Sequence, residues 1–201
     1  MHPDPKFRVT PADCAGIAHD LAFAHIFVSA PSGIAVIHAP VTLVDETHLH
    51  FHVSRRNHAL PLLDGARAIA SFAGEHGYVS PDWYETAGQV PTWNYIAVEA
   101  EGMLAPLSTE ALIAQVDTLG AEHEARLAPK PAWTRDKMPE GSFDKMLGGI
   151  AGFMLSVETW RGTAKLSQNK PTRDVAGVVA GLHAVGRDPL AARIEAANTG
   201  R

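Results

Sequence analysis

The chain has 201 residues, 46% apolar and 19% charged, a balance that excludes a disordered or coiled-coil protein and allows a real core. Its 17 basic and 22 acidic side chains give a formal charge of −5, so bulk attraction to nucleic acid or an acidic membrane is not expected. A single cysteine, Cys14, excludes an internal disulfide framework and a zinc cage built mainly of thiolates. No apolar run reaches the roughly 18 residues of a spanning helix, and the first residues do not resemble a signal peptide, so a reducing cytoplasm is the expected compartment.

In chain order, Thr10 followed by Pro11 predicts a helix start, with Ile17 and Leu21 on its apolar stripe. A strand pair follows at 24–28 and 34–38 around a Pro31-Ser32-Gly33 turn, then a short β-branched stretch at 41–44. Residues 48–53 alternate cleanly, Leu49, Phe51 and Val53 on one face and His48, His50 and His52 on the other. Separate strands are expected at 68–72 and 78–80, and longer ones at 93–103 and 153–166. Helices are expected from Ser108 (with Leu112, Val116 and Leu119), from about Thr172 (with Val175, Val178, Val179 and Leu182) and from Asp188-Pro189. The Pro-rich segment 128–141 is the best loop candidate. Consecutive short strands without βαβ repetition predict an α+β protein with a mainly β, antiparallel core.

Three groups could carry chemistry. Residues 161–173 place Arg161, Lys165, Lys170 and Arg173 beside Ser167, Gln168 and Asn169 with no acid among them, just before a helix start. Cations, hydroxyls and helix-end amides suit a phosphate dianion, although a solvated basic loop has the same composition. Tyr78, Trp83, Tyr84, Trp93 and Tyr95 crowd into eighteen positions with Ser80, Thr92 and Asn94; such residues can wall a flat heterocycle or pack a core or interface. His48, His50 and His52 have a zinc-compatible spacing but no third element to complete a site, so a polar strand face is the better reading and no metal is expected. The motifs of α/β-hydrolases, dinucleotide-binding folds, P-loops and zinc proteases are absent. Cys14 lies on an ordinary amphipathic helix and is expected to be buried rather than reactive. Residues 171–201 hold four cations and three acids, too weak a balance for a helix docked in a DNA groove.

In order along the chain, Lys6-Phe7-Arg8, the segment His52–Asn57, His76–Tyr84 (H-G-Y-V-S-P-D-W-Y), Val90–Tyr95 (V-P-T-W-N-Y), Lys165–Asn169 (K-L-S-Q-N) and Ala176–Leu182 (A-G-V-V-A-G-L) resemble the PaiB-like FMN-binding negative transcriptional regulators. The resemblance spans roughly residues 6–183. It implies a split β-barrel related to pyridoxamine-phosphate-oxidase-like flavoproteins, as a single domain over 1–201 with a helical C-terminal extension at 171–201. It also implies a homodimer with FMN at the interface.

On that resemblance Arg55 and Asn57 are expected at phosphate or ribityl oxygens, with Arg56 a competitor for Arg55. Lys165, Ser167, Gln168 and Asn169 would form a further clamp. Thr92, Trp93 and Asn94 would line the ribityl and ring region, with Tyr78 and Ser80 nearby. The family points to transcriptional repression; an FMN-dependent oxidoreductase using NAD(P)H or another donor is the alternative, with His38 or His52 the candidate proton donors. DNA contact is possible but not supported by charge.

Overall fold

A computed structural model describes residues 1–31 and 33–200. Ser32, at the centre of the expected turn, lies outside the described residues. The chain divides into two compact units, one comprising Met1–Cys14, Ala73–Val98 and Arg161–Arg201, the other Ala15–Phe72 and Glu99–Trp160. The elements are β1 (Arg8–Val9), α1 (Pro11–Leu21), β2 (Phe23–Ala30), β3 (Gly33–Asp45), β4 (His48–Ser54), β5 (Arg67–Val79), β6 (Thr92–Pro106), α2 (Thr109–Ala125), α3 (Ser142–Leu147), β7 (Ile150–Lys165), α4 (Thr172–Ala184) and α5 (Asp188–Asn198).

In the second unit the strands run in the order β7-β4-β3-β2-β5-β6, and a further β6–β7 pairing closes the ring. The β2–β3, β2–β5, β3–β4 and β4–β7 ladders are antiparallel. Closure leaves no free edge and turns alternate side chains inward. Ile26, Val28, Ile37, Leu49, Phe51 and Leu155 are almost fully buried as a result. The seam is close at Gly102, where a Cβ would collide with the Ser156 carbonyl oxygen. Helix α2 starts on its Ser108 cap, whose Oγ accepts from the Ala111 N–H at 3.2 Å.

The first unit is built from β1, the distal parts of β5, β6 and β7, and helices α4 and α5. Arg8 and Val9 pair with Thr163 and Gly162. Leu182 and Leu190 from the two helices approach Gly77 of β5, and Leu182, Leu190 and Ile194 are buried.

Four expectations are corrected. The stretches at 68–72 and 78–80 are one strand, β5, and residues 41–44 belong to β3. Within β5, Gly74 and Gly77 permit close approach: a Cβ would sit 3.2 Å from Ile96 Cβ at Gly74 and 2.8 Å from Leu190 Cδ2 at Gly77. On α2 it is Leu112 and the polar Gln115 that are buried, while Val116 and Leu119 are only half-buried. Asp188 opens α5 without capping it; its carboxylate meets His183 Nδ1 at 2.6 Å. Helix α3 was not anticipated.

Candidate functional site

Most of the expected ligand residues gather in the first unit, where the start of β6 meets the end of β7 and the loop after it. Lys165 Nζ donates to Thr92 Oγ1 at 2.7 Å. Asn94 Nδ2 donates to Ser167 Oγ at 2.8 Å, and both residues are buried. Ser167 has φ +64, a left-handed conformation that a serine adopts only when its surroundings hold it. Gln168 supplies some of that hold. Its Oε1 accepts from the Leu166 N–H at 2.7 Å and its Nε2 donates to the Ala164 carbonyl at 2.6 Å. Both ends of that amide are therefore spent on the loop's own backbone. Asn198 of α5 adds a bond from Nδ2 to the Leu166 carbonyl at 2.9 Å, and Asn169 is exposed.

The electrostatics of this loop are one-sided. Burial, and then the charge of Lys170, push the Lys165 ammonium pKa below its ordinary value. Lys170 Nζ donates to Gln89 Oε1 at 2.5 Å and lies 4.9 Å from the Tyr84 ring centroid. Among the described residues neither ammonium has a carboxylate partner. Two partly desolvated cations with neutral neighbours are stabilised by an incoming anion.

The aromatic group stands on β5 and β6. Tyr78 and Trp93 meet edge to face at 6.3 Å, and His76 stacks on Trp93 at 6.1 Å. Tyr78 and Trp93 are 47% and 48% exposed, so they form one uncovered wall rather than a closed slot. Ser80 accepts from the Asp82 N–H at 3.3 Å and caps a short turn of helix at Pro81–Trp83. A separate cleft of about 720 Å³ runs along α4 from Lys170 past Val175 and Val179 to His183. No Trp, Tyr or Phe lines it, so it does not match the demands of a flat ring.

Arg55 and Asn57 lie in the other unit, just after β4. The Arg55 N–H donates to the Gly149 carbonyl at 2.9 Å and its side chain is exposed. Asn57 Oδ1 accepts from the Ala59 N–H at 2.9 Å. In the same unit His52 Nδ1 meets Gln115 Oε1 at 2.9 Å, and Gln115 Nε2 meets Thr42 Oγ1 at 3.4 Å. His48 is held by Asp45 at 3.0 Å. His48 and His52 are thus tied into local polar networks, and among the described residues no group of three or more His, Cys, Asp or Glu is placed to hold a metal ion. Sequence reading missed Gln115, which looks like a surface residue until its helix packs, and Asp174. Asp174 is completely buried and accepts the Glu85 and Thr86 N–H groups at 3.0 Å each.

Solved structures share this architecture. The FAD and heme binding protein from Mycobacterium smegmatis is similar at TM-score 0.56 and 17% identity, over 83% of this chain and 77% of that one. The flavocytochrome Anf3 from Azotobacter vinelandii is similar at TM-score 0.58 and 15% identity, over 88% and 78%. The fold is a split β-barrel with peripheral helices. Residues 1–159 match the family described as "Putative FMN-binding domain", and the chain belongs to it. Lys165–Asn169 fall beyond the matched residues. The protease synthase and sporulation protein PAI 2 of Bacillus subtilis is 32% identical over 111 residues, 55% of this chain and 52% of that protein. The chain spans about half the length of the curated relatives it matches. Among the described residues no helix is long and apolar enough to cross a membrane.

Proposed function

We propose that this FMN-binding protein holds the FMN phosphate at Lys165, with Thr92, Ser167 and Asn169 as neutral partners and Asn94 fixing the Ser167 hydroxyl. The observation that carries the assignment is the pair of half-buried ammoniums, Lys165 and Lys170, with no carboxylate partner among the described residues. Gln168 contributes by shaping the loop. Trp93 and Tyr78, near Ser80, supply one aromatic wall for the isoalloxazine. Arg55 and Asn57 are assigned to the same cofactor on the family resemblance. When bound, FMN brings a redox-active ring, and the chain's part is to grip and orient it.

The half-exposed state of Tyr78 and Trp93 supports a homodimer with FMN at the interface, since a second copy would cover the wall that one chain leaves open. In function the chain is read as a cytoplasmic regulator of gene expression, on its resemblance to the PaiB-like regulators, with 171–201 as a helical extension of one FMN-binding domain. The charge of −5 argues that any effect on transcription passes through a partner protein or a local basic patch rather than through bulk attraction to DNA.

Flavin titration of the purified chain tests the assignment, with riboflavin as the phosphate-free control. Lys165→Ala is expected to weaken FMN binding about tenfold or more, the worth of a charge-assisted hydrogen bond, and to leave riboflavin binding nearly unchanged. Equal loss for both flavins, or none, removes Lys165 from the phosphate site. Sedimentation of the loaded protein as a monomer removes the interface.

A further inference from the structure

We propose that His25 and His38 form a bidentate site for a divalent first-row transition ion on the outer face of the β2–β3 ladder. The two residues are directly opposed in the antiparallel register. Their Nδ1 atoms lie 2.7 Å apart, with the ring centroids at 4.8 Å and the rings nearly perpendicular. His38 is exposed and His25 half-exposed. At that separation one Nδ1–H donates to the lone pair of the other Nδ1, so both Nδ1 atoms point into the same small volume. This is what separates the pair from the β4 histidines, whose Nδ1 atoms at His48 and His52 are engaged by Asp45 and by Gln115.

Metal entry requires a tautomer change and a small rotation that opens the two rings toward a common point. The donor ring moves its proton from Nδ1 to Nε2, where it faces solvent, and both Nδ1 lone pairs then serve the ion with no net proton released from the neutral pair. With metal–nitrogen bonds of about 2.05 Å, two nitrogens stand about 2.9 Å apart at a right angle and about 3.3 Å at the tetrahedral angle. The observed separation is nearer the first. A square-planar or tetragonal ion, Cu²⁺ or Ni²⁺, therefore needs the smaller opening of the rings and is favoured over Zn²⁺, as its intrinsic affinity for nitrogen ligands also demands for Cu²⁺. Water completes the coordination. The backbone of two paired strands fixes the pair in place, so little ordering cost remains for the ion to meet.

The test titrates untagged, metal-free full-length protein with Cu²⁺ alone, followed by calorimetry and electron paramagnetic resonance. One ion per chain is expected, with hyperfine coupling to two imidazole nitrogens. His25→Gln and His38→Gln should each weaken it by on the order of tenfold or more, while His50→Gln leaves it unchanged. In the unsubstituted protein, where folding is not in question, bound Cu²⁺ should broaden the ring resonances of His25 and His38 first. No binding, binding that survives both substitutions, or broadening centred on the β4 histidines overturns the proposal.

Discussion

Asn94 and Ser167 are joined by a buried hydrogen bond of 2.8 Å across 73 positions of sequence. It ties the start of β6 to the loop after β7 and holds a serine in the left-handed region. Removing one partner leaves the other buried without its bond, which costs about 1–3 kcal/mol. Asn94→Ala should therefore lower the unfolding free energy from denaturant titration by that amount, and Ser167→Ala should add little in the Asn94→Ala background. Additive losses in this double-mutant cycle would show that the two side chains are not coupled.

How far this arrangement can be read from sequence depends on which force sets each element. The alternation of β4 and the cap of α2 were legible because period and cap are local signals. The ligand segments were legible as composition, four cations without an acid, but their convergence was not. Lys165 meets Thr92 through strand pairing that no short window reveals. The continuity of β5 through 73–77 was not legible either, because Gly74 and Gly77 between the two expected strands are set by contact with Ile96 and Leu190, distant in sequence. Gln115 was missed because its burial depends on partners on β3 and β4.

Asp174 and Tyr84 form a second test of buried polarity. Asp174 Oδ1 accepts two backbone N–H groups, whereas Asp174 Oδ2 and the Tyr84 hydroxyl are buried without a hydrogen-bond partner among the described residues. Burial, and then the nearby Asp174 charge, raise the Tyr84 pKa. Deleting an unsatisfied hydroxyl removes a desolvation cost, so Tyr84→Phe should leave thermal stability unchanged or raise it. Asp174→Ala strands two backbone donors and should cost about 1–3 kcal/mol or more. A Tyr84→Phe variant as damaged as Asp174→Ala would mean that the hydroxyl has a partner in solution.

The pH dependence of folding should carry a signature of His50. Burial, and then the neighbouring His48 charge, lower its pKa, with Asp45 opposing. An unfolded histidine titrates near about 6.5. Between that value and the depressed folded one the unfolded chain binds more protons, so this contribution is present above about 6.5 and is lost as pH falls. Urea midpoints at about pH 7.5 and about pH 5 should therefore diverge less in His50→Gln than in the unsubstituted protein. Equal divergence would show that His50 titrates normally.

The A-G-V-V-A-G-L segment of α4 explains itself through Trp83. A Cβ at Gly177 would collide with the Trp83 carbonyl oxygen, and one at Gly181 with the indole ring. Two effects compete in Gly181→Ala. Helix propensity favours alanine by about 1 kcal/mol, while overpacking costs about 1–3 kcal/mol. Because the opposing atoms belong to a ring wedged against the helix, the steric cost should win and thermal stability should fall. Trp83→Ala removes the obstacle and leaves a cavity that a methyl group partly fills. In that background Gly181→Ala should change sign and stabilise the protein. The same sign in both backgrounds would show that Trp83 does not dictate glycine at this position.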